Sequence, residues 1–142
     1  MKFLRLTLPL ICALGLTGAE SGTSRTPVSS FRLPTFTKEG HRSMLLQGTE
    51  AIVGAHQVDL TGLNLSLFTG DARNQVETII LSPTAVADLE TDIISGPGVV
   101  RFIRDDLEIT GTEWRYDHRG KKVSIARHTR VVFQAQMPDI LK

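Results

Sequence analysis

The sequence predicts an all-β fold of antiparallel strands, and three observations carry that expectation. Apolar residues recur with a period of two rather than 3.6, as in HQVDLTG, LNLSLF and EWRYD. Glycine, proline, asparagine and aspartate cluster between these runs. The pentapeptides VDLTG (58–62) and LEITG (107–111) repeat one pattern: apolar, acidic, apolar, Thr, Gly. Strict alternation over short runs marks strands with one face toward an apolar interior and one toward water.

The chain opens with a targeting pattern. MKFLR is a short basic start, LTLPLICALGLTG is an apolar run, and Thr17 and Ala19 supply small residues before Glu20. This predicts a secretory signal peptide over 1–19, cleaved near Ala19, and hence a periplasmic protein. Retention of the same residues as an inner-membrane anchor is the alternative. Against it, the run is shorter than the roughly 20 apolar residues that cross a bilayer, and Pro9 interrupts it. Cys12, the only cysteine, follows Leu10 and Ile11 rather than a small residue, which argues against lipidation. Its removal excludes any disulfide or thiolate metal site. Loss of Lys2 and Arg5 takes Lys+Arg from 16 to 14 against 15 Asp+Glu. That balance lacks the basic excess of a nucleic-acid-binding domain.

Residues 20–30, ESGTSRTPVSS, are small and polar and read as a flexible leader. A single domain then spans 31–142. Leu46 precedes Gly48 in SMLLQG. Val58 and Leu60 alternate, then Leu63, Leu65 and Leu67. FTGDARN makes a turn before VETIILS. TAVADLETDI (84–93) reads as strand or loop, with a helix as the alternative because Val86, Leu89 and Ile93 also have helical spacing. SGPG (95–98) reads as a turn, as does Asp105-Asp106. Leu107 and Ile109 begin the second copy, followed by Trp114 and Tyr116. DHRGKK reads as a hairpin turn. Val123, Ile125, Val131 and Phe133 alternate along the last strand.

Gly62 and Gly111 stand where the alternation changes phase. Inward positions pass from even (Val58, Leu60) to odd (Leu63, Leu65, Leu67), and from odd (Leu107, Ile109) to even (Trp114, Tyr116). A glycine at such a step marks a bulge or bend, so the two Thr-Gly pairs are expected to be equivalent bends. Each unit has one apolar face that it cannot bury alone. Stacked units bury it as two packed sheets or as one curled sheet with an apolar interior.

No catalytic constellation stands out. His41, His56, His118 and His128 lack metal-ligand spacing and read as solvent-exposed or strand-surface residues. No serine lies in a Gly-x-Ser-x-Gly context, and no glycine loop suits a phosphate. The expectation is therefore no catalytic residue, no metal and no cofactor. Trp114 and Tyr116 either pack a core or line an apolar groove. RGKK (119–122), Arg127 and Arg130 read as solvated cations, suited to pairing with phosphates on an anionic lipid.

From Phe36 to Phe133 the chain resembles the periplasmic lipopolysaccharide-export bridge proteins, the LptC and LptA (OstA-like) group, with the LptC branch favoured. FTKEGHRSMLLQGTEA, VDLTGLNLSLF, VETIILSPTAVAD and GPGVVRFIRDDLEITGTEWRYDHRGKKVSIARHTRVVF carry the resemblance. It implies a twisted antiparallel β-jellyroll, open at the edges, with an apolar interior groove. It implies a non-enzymatic carrier of lipopolysaccharide acyl chains from an inner-membrane export ABC transporter toward the outer membrane. It also implies edge-strand pairing with other bridge proteins. On the alternation, Val58, Leu60, Leu65, Leu67, Leu107, Ile109, Trp114, Tyr116, Val131 and Phe133 are the groove candidates. The rival reading is an exported β-sandwich, a binding or structural module of the envelope with a different ligand.

Overall fold

The computed structural model describes residues 24–133. The predicted signal peptide at 1–19 lies outside them, as do 20–23 and 134–142. Seven strands follow in chain order: β1 (Thr26–Phe36), β2 (Arg42–Val53), β3 (Gln57–Phe68), β4 (Val76–Asp88), β5 (Ile93–Arg104), β6 (Leu107–Asp117) and β7 (Lys122–Phe133). Each pairs antiparallel with its chain neighbours, which makes one meander sheet in the order β1 to β7. Among the described residues, strands pair only with their neighbours in this order, so β1 and β7 are the edges of the sheet.

A line of irregularities crosses the sheet. On β3 the inward residues change from Val58 and Leu60 to Leu63 and Leu65, and on β4 from Ile80 and Ser82 to Ala85 and Ala87. The registers align these steps, for Ser29 lies opposite Glu50, Glu50 opposite Thr61, and Thr61 opposite Thr84. On β5, Gly96 to Val99 is one residue longer than the facing Thr112 to Trp114. On β7, Arg127 to Arg130 is likewise one longer than Thr110 to Thr112. These are β-bulges, which bend a strand and increase its twist. Ser30, Gly62, Glu113 and His128, all on this line, have left-handed φ angles of 53°, 64°, 55° and 54°. Pro83 also lies on it, where the β4–β5 ladder is interrupted and a missing N–H costs little.

Along this crease the sheet doubles back on itself. Leu46, Leu65 and Ile80 from one half share a single buried core with Val58, Ala87, Ile94 and Trp114 from the other. His118, in the β6–β7 turn, meets Ser43 at the start of β2, so the far ends of the two halves touch. One folded sheet thereby buries the apolar face that no single hairpin buries alone.

Several expectations need correction. Thr26–Ser30, read as flexible, form the first part of β1, where Val28 lies opposite Ala51. An edge strand takes its hydrogen bonds from one neighbour, so sparse apolar content does not exclude it. SGPG lies inside β5 as its bulge rather than in a turn. TAVADLETDI, by contrast, is strand and loop as expected, divided into the end of β4 and a turn at 89–92 before Ile93 opens β5. VDLTG and LNLSLF are one continuous strand, because the ladder with β4 continues on both sides of the step.

Candidate functional site

One inward row runs from edge to edge. Leu33 pairs with Leu46, Leu46 with Leu65, Leu65 with Ile80, Ile80 with Phe102, Phe102 with Ile109, and Ile109 with Val131. All seven side chains are apolar. The central ones are sealed, with Leu65 at 0% exposure, whereas Val131 on the free edge is 48% exposed. Among the groove candidates, Val58, Leu60, Leu65, Trp114 and Tyr116 fill a closed core. Leu67, Leu107 and Ile109 are half-buried, and Val131 and Phe133 are exposed. An open groove along all ten positions is therefore absent. The interior is packed shut under the crease and becomes accessible toward the end of β7.

The two repeat copies do not stack side by side. β3 and β6 run in opposite directions, so Val58 and Leu60 lie in the half that contains Trp114 and Tyr116. Leu107 and Ile109 lie in the half of Leu65 and Leu67. The glycines also differ. Gly62 supplies the left-handed backbone of its step, whereas on β6 that conformation falls to Glu113. Gly111 is required instead for close approach, since a Cβ there would stand 2.3 Å from Ile125 Cγ2 and 3.0 Å from the Arg127 carbonyl oxygen.

Where the far ends of the two halves meet, a cavity of about 500 Å³ opens. Leu67, Phe68, Thr78 and Phe102 line it from one half, and Tyr116, Lys121 and Val123 from the other. Arg104 and Glu77, an ion pair, stand at its wall. A larger hollow of about 670 Å³ over β1–β5 is lined by Ile52, Asp59, Val86 and Pro97, among others. Its Asp59 is paired with Arg25, and no cation lines it.

His118 organises the mouth of the smaller cavity. Ser43 Oγ donates to the Thr35 carbonyl at 3.2 Å and lies 3.2 Å from His118 Nε2. The Ser43 hydrogen is thus committed, and the network assigns the imidazole proton to Nε2. Nδ1 then accepts from the Tyr116 hydroxyl at 2.9 Å and from Lys121 Nζ at 3.3 Å. Burial, reinforced by the Lys121 charge, lowers the His118 pKa and favours this neutral state. Burial also pushes the Tyr116 phenol up to about 12, aided by Asp117 and Glu77. Lys121 is exposed overall, yet desolvation at its ammonium lowers its pKa, with Glu77 opposing. His118, expected at the surface, is only 8% exposed.

No protein-family model matches the chain, and no curated protein matches it in sequence. The chemistry of the site therefore rests on its own geometry. In the tautomer this network assigns, Nε2 donates toward Ser43 Oγ, an arrangement that does not place the imidazole to take the Ser43 proton. What the mouth offers is an apolar wall, the hydroxyls of Thr37, Ser43, Thr69, Thr78 and Tyr116, and a lysine that has no carboxylate partner among the described residues. Sequence reasoning missed this network. Its signal was the spacing of Tyr116 and His118, which puts both on the inward face at a strand end.

Proposed function

We propose that this protein is a non-enzymatic component of lipopolysaccharide export in the periplasm. It holds acyl chains against the apolar inner face of its folded sheet and passes them from an inner-membrane ABC transporter toward the outer membrane. The observation that carries this reading is the unbroken apolar row that leaves the closed core and ends exposed on the β7 edge. Covering that end with hydrocarbon removes apolar area from water, at roughly 25 cal/mol per Å². The two edge strands, unpaired on their outer side among the described residues, support the rest of the reading. A partner bridge protein extends the sheet by satisfying the unpaired backbone groups of an edge strand. Pro27 and Pro34 reduce the donors on β1, while β7 contains no proline.

Photo-crosslinking in cells tests this. A photoreactive residue at Ile109, Val131 or Phe133 is expected to yield lipopolysaccharide adducts. The same residue at the outward-facing Val132 is expected to yield few. Equal adducts at Val132 and Val131, or none at any position, would reject acyl-chain carriage on the inner face.

A further inference from the structure

The cavity at the meeting ends of the two halves has a chemistry of its own. Leu67, Phe102 and Val123 provide an apolar wall between the layers. Lys121 lines the same space with a left-handed backbone, φ 53°, at the turn into β7. Its ammonium donates to His118 Nδ1, which leaves further N–H donors for a ligand. Arg104 is already neutralised by Glu77, so the cavity wall carries one uncompensated positive charge. At about 30 Å³ per non-hydrogen atom, by analogy with water, about 500 Å³ accommodates on the order of fifteen ligand atoms. That is room for one alkyl chain with a small head group, and far too little for a glycolipid with several chains.

We infer that this cavity is a binding site for a single-chain anionic amphiphile, with its carboxylate or phosphate head on Lys121 and its chain between Leu67, Phe102 and Val123. The site goes beyond lipopolysaccharide carriage and stands without it. The neutral imidazole is part of the design. Its Nδ1 accepts a hydrogen bond from Lys121 and so orients the ammonium without competing for the anion, as a carboxylate neighbour would. The apolar wall excludes water from one side of the head group, which strengthens the charge-assisted hydrogen bond.

Isothermal titration of the folded protein with decanoate, decyl phosphate, 1-decanol and inorganic phosphate, each below its micellar range, tests the site without any lipopolysaccharide. Decanoate and decyl phosphate are expected to bind at least about tenfold more tightly than 1-decanol, the worth of one charge-assisted contact. Lys121→Met is expected to erase that preference, and Lys121→Arg to preserve it. Circular dichroism of each variant confirms folding. Equal binding of decanoate and 1-decanol, or an undiminished preference in Lys121→Met, overturns the proposal. So does inorganic phosphate competing as well as decyl phosphate, because that would make the site one for free anions.

Discussion

At Gly62 and Gly111 two glycines of one repeated pentapeptide serve different physical ends. Gly62 bears the left-handed backbone of the β3 step, and Thr49 Oγ1 stands 2.7 Å from where its Cβ would lie. Gly62→Val combines a strained φ with that contact, and a loss of about 2–3 kcal/mol in denaturant unfolding is expected. Gly62→Asn is expected to cost less, because asparagine tolerates this conformation whereas a β-branched residue does not. At Gly111 backbone conformation is not the obstacle, so Asn and Val are expected to destabilise alike, by about 1–3 kcal/mol, through overpacking against Ile125 and the Arg127 carbonyl. His118 supplies a pH dependence. Its folded pKa lies below the ordinary 6.5, so the unfolded chain binds its proton first. Its stabilising contribution is complete above 6.5 and is lost as pH falls from there toward the folded value. Burial and then Lys121 oppose protonation, Asp92 and Asp117 favour it, and the net direction is downward. Melting temperatures recorded from about pH 7.5 down to about pH 5 are expected to fall for the parent. For His118→Gln this part of the slope is expected to vanish; an unchanged slope would remove His118 from the account.

The strands were legible because a half-buried strand must alternate, and a phase step must show wherever the inward face is kept through a bend. Hence the steps at Gly62 and near Gly111 could be read from residues alone. Their continuity could not. A bulge and a turn use the same residues, so SGPG looked like a hairpin end although it sits within β5. The first half of β1 was hidden for a related reason, since its only half-buried residue before the step is Val28. Alternation also leaves open whether an apolar face lines a groove or fills a core. That depends on how far the sheet doubles back, which long-range contacts such as Ser43–His118 report and no local pattern does. The row through Leu65 makes the difference measurable. Leu65→Ala is expected to cost about 2–5 kcal/mol, and Leu65→Asp to unfold the protein, because its carboxylate would be buried without a partner. Val131→Asp, at the exposed end of the same row, is expected to change stability by about 0.5 kcal/mol or less. Chemical denaturation with a circular-dichroism readout compares all three.

For the molecule as a whole, the folded meander sheet makes an interior that is tight at the crease and accessible toward the end of β7. Among the described residues its edges stay open, because no strand pairs β1 with β7. A carrier needs both properties: a core that keeps the fold together without ligand, and an apolar margin that a chain can enter and leave. The most direct test is thiol protection. With Cys12→Ser as the parent, single Ile109→Cys, Val131→Cys and Val132→Cys variants are labelled with a maleimide, with and without lipopolysaccharide. The account predicts that lipopolysaccharide slows labelling at Ile109→Cys and Val131→Cys and leaves Val132→Cys unaffected. Equal slowing at all three positions, or no slowing at the two inward ones, would contradict it.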